Sequence, residues 1–173
     1  SNGLFSKIRN SNFVDHISLK RGILKIDLSQ TAISSYHASF IATYLCERLF
    51  ETGRSFCYET VLSHPDKIKY IDLARTKSFR TYAYFIFTDN VEVNILRVKI
   101  RVLQGLHDVD EKKIRSRYKR TFRNIYQLML RCDDGYLIGN SNEIEVIGEL
   151  KNGQLTILKP LPSFLQIHLK GSL

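Results

Sequence analysis

Residues 82–87 read YAYFIF, and after a gap of three residues, positions 91–104 read VEVNILRVKIRVLQ. The first stretch is an unbroken apolar run, which predicts a strand buried on both faces of a sheet. The second stretch has apolar residues at helical spacing and places Arg97 and Arg101 four positions apart on one face. A buried strand followed at once by an amphipathic helix is typical of an α/β domain with a mostly parallel sheet.

The neighbouring segments continue this alternation in both directions. Toward the amino terminus the sequence predicts a strand over 22–27, a helix over 31–51 with Gly53 at its C-terminal cap, and a strand over 55–59. Toward the carboxyl terminus it predicts helices from Pro65 and over 111–131, and a strand over 136–138. A short helix is also expected over residues 4–10.

Residues 143–173 have a different pattern. Two β-rich runs, 143–150 and 154–159, flank Lys151-Asn152-Gly153, and an Asn-Gly pair in this position is a strong hairpin signal. We therefore expect a core over residues 1–142 and a C-terminal β-hairpin with its tail over 143–173, packed on the same domain.

Composition excludes several classes of protein. Hydrophobic residues make up 43% of the chain and aromatic residues 11%, which is too apolar for a disordered protein. No apolar run is long enough to span a bilayer, and no secretion signal is expected. The three cysteines lack C-x-x-C spacing, so neither a disulfide framework nor a zinc site is predicted, and a reducing cytoplasm is expected.

Positive charge is concentrated in one block. Between Arg97 and Arg131 there are eleven Lys and Arg residues against three Asp and Glu residues, so this block supplies +8 of the formal net charge of +9. Such a block makes a local positive field that would attract phosphates or nucleic acid. The alternative is a solvated helix face without a ligand.

Two acids close predicted strands. Asp27 ends the strand over 22–27 and Glu59 ends the strand over 55–59. Chemistry collects beyond the carboxyl ends of parallel strands, where a carboxylate can accept a proton from a substrate hydroxyl. The alternative for each acid is an ordinary helix N-cap or turn residue.

Two segments resemble those that mark zeta-toxin-like P-loop kinases. Residues 55–64, SFCYETVLSH, resemble the family string F-x-x-E-T-x-x-S. Residues 97–120, RVKIRVLQGLHDVDEKKIRSRYKR, resemble R-V-x-x-R-V-x-x-G-G-H-x-V-x-x-x-x-I-x-x-R-Y-x-R. The resemblance runs from about Lys25 to Asn142, roughly two thirds of the chain.

This resemblance implies an ATP- and Mg²⁺-dependent phosphotransferase with a P-loop NTPase-like, doubly wound and mostly parallel sheet flanked by helices. Toxin members of the family act on UDP-N-acetylglucosamine, so it implies a nucleotide and a small-molecule hydroxyl acceptor as ligands. It also implies a bacterial, cytoplasmic protein with an antitoxin protein as a further partner and no membrane partner.

The resemblance assigns roles to individual residues of this chain. Asp27 would be the general base on the acceptor hydroxyl, and the lid arginines that stabilise the transferred phosphoryl group would be Arg97, Arg101, Arg117 and Arg120. The substrate would contact Glu59, Thr60, Ser63 and His107, with Glu59 and Thr60 helping to bind either the acceptor or the metal. The nucleotide would contact Asn2, Gly3 and Arg115. One well-placed arginine can contribute roughly 10³–10⁵ to the rate of phosphoryl transfer.

The chain departs from the family in its nucleotide loop. Such kinases need G-x-x-x-x-G-K-[ST], and these 173 residues contain no such string, although Asn2-Gly3 resembles the first half of the loop. We expect the chain to be part of a longer protein; a cloning remnant on a shortened domain and a natural loss of ATP binding stay open. Leu106 also replaces a family glycine, and Gly139-Asn140-Ser141 replaces Asp-Asn-Ser.

Three classes of function therefore remain. The first is a nucleotide-dependent kinase. The second is a catalytically degenerate kinase fold that binds a phosphorylated ligand or a protein through the basic block. The third is nucleic-acid binding, which is disfavoured because Tyr118, Phe122 and Tyr126 fall on the predicted buried stripe, where they cannot stack on bases.

Overall fold

The computed structural model describes residues 17–21, 23–27 and 35–169. The chain divides into two compact units, residues 1–56 and residues 57–173. The helix expected over residues 4–10 lies outside the described residues. Within the described residues no helix is both long enough and apolar enough to cross a membrane.

The described residues of the first unit form a hairpin and one helix. Strands β1 (Ile17–Lys20) and β2 (Ile23–Ile26) pair antiparallel, and helix α1 spans Ser35–Glu51. The helix ends as predicted: Gly53 has a φ of 65°, and the Arg54 N–H donates to Leu49 O at 3.0 Å. The predicted strand ending at Asp27 is confirmed, but within the described residues its partner is β1 in an antiparallel hairpin.

The second unit is an α/β structure with a four-stranded mixed sheet. A 3₁₀ turn (Pro65–Lys67) leads into helix α2 (Lys69–Thr76), strand β3 (Tyr82–Phe87) and helices α3 (Val91–Leu103) and α4 (Glu111–Met129). Strands β4 (Asp134–Asn140), β5 (Ile144–Lys151) and β6 (Gln154–Ile157) and helix α5 (Ser163–Leu169) follow.

The strand order in this sheet is β3-β4-β5-β6. β3 and β4 run parallel, joined by the α3–α4 crossover, whereas β4–β5 and β5–β6 are antiparallel. Asn152 and Gly153 form the β5–β6 turn with φ values of 50° and 77°, so the predicted hairpin is confirmed. Strand β4 approaches β3 so closely that a Cβ at Gly135 would lie 2.1 Å from Ala83 O.

The hydrophobic core lies between one face of the sheet and helices α4 and α5. Phe85 and Phe87 of β3 contact the ring of Phe122 on α4, with centroids 5.7 and 6.2 Å apart. Leu165 and Leu169 of α5 are fully buried in the same core. The sequence did not predict α5.

Two predictions about strands are wrong. Residues 55–59 form no strand, since the segment after α1 is an extended loop. β3 is not buried on both faces, because Tyr82, Tyr84 and Ile86 are exposed while Ala83, Phe85 and Phe87 are buried. An unbroken apolar run is compatible with burial of both faces of a strand. It does not show whether other elements pack on both faces.

Candidate functional site

The carboxyl ends of the parallel strands β3 and β4 lie side by side. Phe87 pairs with Gly139, so the segments Thr88-Asp89-Asn90 and Asn140-Ser141 leave the sheet at the same edge. Ser141 Oγ accepts a hydrogen bond from the Asp89 N–H at 2.8 Å and ties the two strand ends together. This edge is where open α/β sheets place their ligands.

Thr88 joins the end of β3 to both crossover helices. Tyr118 of α4 donates its hydroxyl proton to Thr88 O at 2.7 Å. The Thr88 hydroxyl accepts from Asn94 Nδ2 of α3 at 2.9 Å and donates to Asn90 O at 3.1 Å. Burial and the negative charge of Asp89 raise the pKa of Tyr118 to about 12, so this phenol stays protonated and acts as a donor at neutral pH.

Arg97 lies at the same edge. Its Nη2 donates to Asn140 O at 2.8 Å and to Ser141 O at 3.3 Å, so helix α3 is fastened to the end of β4. Its Nε and Nη1 have no partner among the described residues, and the side chain is exposed. Arg97 therefore keeps donors that could meet an anion beside Asp89.

Arg101 and His107 are brought together at the α3–α4 turn. Arg101 Nε donates to the main-chain oxygen of His107 at 3.1 Å. The turn itself is a glycine cap, in which Gly105 has a φ of 79° and the Leu106 N–H donates to Arg101 O at 3.1 Å. In this arrangement Arg101 holds the turn, and the His107 side chain is exposed.

Arg115 braces the two crossover helices. Its Nη2 lies 3.0 Å from Glu92 Oε2 on α3 and 2.7 Å from Glu111 Oε1 on its own helix. Hydrogen bonds to Glu92 and then to Glu111 raise the pKa of the Arg115 guanidinium, and the same bond lowers the pKa of Glu92. Two carboxylates thus neutralise the cation that the sequence assigned to nucleotide binding.

Other cations on α4 lack such partners. Within the described part of the chain, no ion pair or hydrogen bond involves the charged groups of Lys112, Lys113, Arg117, Lys119, Arg120 and Arg123. We call these six side chains the basic face of α4. Two predicted lid arginines, Arg117 and Arg120, belong to it.

The Glu59–Ser63 loop lies against the side of α4. Thr121 Oγ1 lies 2.6 Å from Val61 O, and Asn124 Nδ2 donates to Leu62 O at 2.8 Å. Leu62 is buried although its φ is 55°, and its N–H donates to Thr60 Oγ1 at 3.2 Å. These contacts hold the loop in a conformation that a non-glycine residue rarely adopts.

The loop brings predicted substrate residues close to one predicted lid arginine. Glu59 and Thr60 are exposed, and Ser63 is partly buried. Arg117 lies one helical turn before Thr121, and the Thr121 hydroxyl oxygen is 2.9 Å from Arg117 O. Arg117 is therefore on the side of α4 that faces the loop.

The remaining predicted site residues belong to other parts of the chain. Asp27 follows β2 in the first unit and is exposed. Asn2 and Gly3 lie outside the described residues. No group of three His, Cys, Asp or Glu side chains within the described ranges could hold a metal ion.

The sequence did not indicate a role for Asp89, and Asn140 and Ser141 were noted only as part of a departure from the family's Asp-Asn-Ser. The rule that selected Asp27 and Glu59, an acid directly after a strand, also applies to Thr88-Asp89-Asn90 after YAYFIF. The hydrogen bond between the two strand ends could not be anticipated, because 52 positions separate Asp89 from Ser141.

Comparisons of this chain with family models, with curated proteins and with solved structures found no match.

Proposed function

We propose that this chain supplies the acceptor-binding and lid parts of an ATP-dependent phosphotransferase of the zeta-toxin-like kind. Its acceptor would be a hydroxyl of a nucleotide-sugar-like molecule such as UDP-N-acetylglucosamine. The observation that supports this proposal best is the position of Arg117. Its guanidinium is not neutralised by any described residue, and it lies on the side of α4 that faces the Glu59–Ser63 loop.

The chemistry of phosphoryl transfer fits such residues. Negative charge spreads over the phosphoryl oxygens in the transition state, and fixed cations stabilise it. Arg117 and Arg120 are available for this role because no described carboxylate neutralises them. Arg97 is held at the carboxyl edge through Nη2 and has further N–H groups to offer. Glu59 and Thr60 would hydrogen-bond the acceptor, and Asp27 stays the predicted base.

ATP and Mg²⁺ fit the described residues poorly. The sequence has no G-x-x-x-x-G-K-[ST] string, Arg115 is neutralised by two glutamates, and the described residues include no metal-binding group of acids. No described residue is therefore assigned to holding the nucleotide.

The sheet is compatible with a larger, doubly wound P-loop architecture. Within the described residues β3 is an edge strand, paired only with β4. Its outer edge could accept a further parallel strand, and its composition, YAYFIF, is that of a strand inside a sheet.

Binding of the acceptor tests the proposal without requiring turnover. Titration calorimetry with UDP-N-acetylglucosamine should show binding that Arg117→Gln weakens by about tenfold, because a charge-assisted bond to the diphosphate is worth about 1.5 kcal/mol or more. Arg123→Gln is the matched control, as it removes the same charge from the same basic face two turns away. Absence of binding, or equal losses in the two variants, would contradict the proposal.

A non-enzymatic anion-binding module is the second candidate. The observation that favours it is the basic face of α4, whose six cations have no partners among the described residues. This function predicts binding of inorganic pyrophosphate that depends equally on Arg117, Arg120 and Arg123, with no preference for the nucleotide sugar. The same pair of variants therefore separates the two candidates.

A further inference from the structure

The basic face of α4 consists of two rows of cations that run along the helix. One row holds Lys112, Lys119 and Arg123, which are seven and four residues apart. The other row holds Lys113, Arg117 and Arg120, which are four and three residues apart. At these spacings both rows lie opposite the stripe by which α4 packs on the sheet. The sequence between Glu111 and Asp133 contains no Asp or Glu, so α4 beyond its first residue is free of acids.

The acids nearest to the basic face lie at the first turn of α4. Asp110 caps the helix by accepting a main-chain N–H at 3.1 Å, and Glu111 pairs with Arg115. Asp108 precedes them in the α3–α4 turn and is exposed. Lys119 follows Glu111 by eight residues, which is about 12 Å along the helix axis, whereas charges are screened over about 8 Å at physiological ionic strength. The second half of the basic face is therefore not neutralised by these acids.

The row of Lys112, Lys119 and Arg123 also faces away from the Glu59–Ser63 loop. The loop is bonded to α4 at Thr121. Lys119 and Arg123 are each two residues from Thr121, which is about 200° around the helix. This row is therefore separate from the predicted acceptor site, where Arg117 lies.

The side chains around these cations disfavour two kinds of partner. The apolar residues of α4 between Ile114 and Ile125 are buried or half-buried, and the outward positions Ser116 and Gln127 are polar. A protein–protein interface has a core that is poor in charge and holds apolar or aromatic anchors. A membrane-binding helix inserts apolar residues beside its cations. Interfaces with nucleic acid, in contrast, are polar and strongly positive.

The aromatic residues of α4 favour a double strand over a single strand. Single strands bind by stacking their bases on exposed rings. Phe122 is 3% exposed, and Tyr118 packs against it with ring centroids 4.8 Å apart. A duplex presents its phosphates outward and requires only cations. The major groove of B-form DNA is about 12 Å wide and accepts an α-helix, whereas that of duplex RNA is too deep and narrow.

We propose that the basic face of α4 binds double-stranded DNA through its phosphates, without regard to base sequence. The helix would lie in the major groove, with one row of cations toward each strand. DNA binding goes beyond acceptor binding and does not depend on it, because the row of Lys112, Lys119 and Arg123 contains none of the predicted lid arginines.

Fluorescence anisotropy of the full chain with a labelled DNA duplex tests this surface directly. The duplex has about 20 base pairs, which is about two helical turns. At about 0.15 M salt we expect a Kd on the order of 10 µM, as is typical of non-specific binding. If the six cations neutralise six phosphates, the logarithm of the binding constant should fall with the logarithm of the salt concentration with a slope of about −5. A second duplex of unrelated sequence should give the same Kd.

Two matched double variants locate the binding. Lys119→Gln combined with Arg123→Gln removes two phosphate contacts, so it should weaken binding by about tenfold and reduce the salt slope by about two. Lys77→Gln combined with Lys151→Gln lowers the net charge by the same amount outside α4 and should change both quantities little. All four side chains are exposed, so the variants should fold normally, and circular dichroism checks that they do.

The same variants keep DNA binding apart from acceptor binding. The double variant of Lys119 and Arg123 should retain the binding of UDP-N-acetylglucosamine, because it keeps Arg117. Loss of acceptor binding in Arg117→Gln with most DNA binding retained is likewise expected, since five cations of the basic face remain.

Five results would overturn the proposal. They are absence of duplex binding, equal losses in the two double variants, equally tight binding of a single strand or of duplex RNA, equally tight binding of polyglutamate, and tighter binding to phosphatidylserine vesicles that the double variant of Lys119 and Arg123 abolishes. The last two would assign the basic face to an acidic protein or to a membrane.

Discussion

The carboxylate of Asp133 holds Thr81, the residue that directly precedes strand β3. Its Oδ2 accepts hydrogen bonds from the main-chain N–H and the hydroxyl of Thr81, both at 2.8 Å, and Thr81 is buried. The main-chain N–H of Asp133 donates back to Thr81 Oγ1 at 3.1 Å. The N–H bond, followed by the hydroxyl bond, holds the pKa of Asp133 below its usual value.

This pair should make stability depend on pH in a defined direction. A carboxyl whose pKa is lower in the folded state stabilises the fold above its unfolded pKa of about 3.9, and the contribution is lost as the pH falls through the folded pKa. Asp133→Asn keeps an acceptor but removes the charge, so it should cost about 1 kcal/mol at pH 7.

Urea unfolding at pH 7 and at lower pH checks this expectation. The difference between wild type and Asp133→Asn should shrink below about pH 4, as the wild-type carboxyl protonates. Asp108→Asn, an exposed acid without described hydrogen bonds, is the control and should have little effect at either pH. A difference that stays constant with pH would show that the charge of Asp133 does not contribute.

At the scale of single elements, two helices of the second unit end in the same motif with different residues. In α2, the N–H groups of Ser78 and Phe79 donate to Arg75 O and Ala74 O, both at 3.0 Å. In α3, Gly105 occupies the position that Ser78 holds in α2. The φ of Ser78 is 61° and that of Gly105 is 79°, so both are in the left-handed region.

Ser78→Gly should therefore stabilise the protein, and Gly105→Ser should destabilise it. Each change is expected to shift the free energy of unfolding by about 0.5–1 kcal/mol, because glycine adopts this conformation without a steric penalty. Thermal melts of the two single variants measure the effect. Shifts of equal sign would contradict the argument, since the two substitutions are opposite in direction at equivalent positions.

Helices α1 to α4 and the β5–β6 hairpin were predictable because their signals are local. The apolar spacing of α3 and α4, and the Asn152-Gly153 turn, lie within short windows of sequence. Residues 55–59 show the limit of such signals. Their β-rich composition suits a strand, yet the segment beyond them is held by side-chain bonds from Thr121 and Asn124, some sixty positions away.

The candidate site could likewise be predicted only in part. The sequence located the arginines but could not show that Glu92 and Glu111 neutralise Arg115 while Arg117 has no partner among the described residues. Helix α5 was missed because seven residues after Pro162 are too few to establish a helical period. Only the structure identifies its two buried leucines, Leu165 and Leu169, as core residues.

At the scale of the whole molecule, strands β3 and β4 differ in their surroundings. β4 is paired on both edges, with β3 and with β5, whereas β3 is paired on one edge within the described residues. Because successive N–H groups of a strand point to opposite edges, only alternate N–H groups of β3 can bond to β4.

Amide hydrogen exchange of this chain should reveal that difference. We expect slow exchange at consecutive positions in β4 and an alternation of slow and fast positions over Tyr82–Phe87 in β3. Measurement by NMR resolves individual amides, and β5, also paired on both edges, serves as the control. Uniform protection along β3 would mean that another strand covers its outer edge.

The α3–α4 crossover separates β3 from β4 in the sequence, and this separation affects the order in which the strands of the sheet pair. Strands β4, β5 and β6 are connected by short turns and can pair as soon as they are synthesised. The contact between Thr81 and Asp133, in contrast, closes a loop of 52 positions. We therefore expect strand β3 to join the sheet last, after both crossover helices have formed. Until then YAYFIF is an uncharged, β-prone segment in a partly folded chain, and such segments associate with one another when crowded. The strand that completes the core is thus also the one through which newly made chains would aggregate.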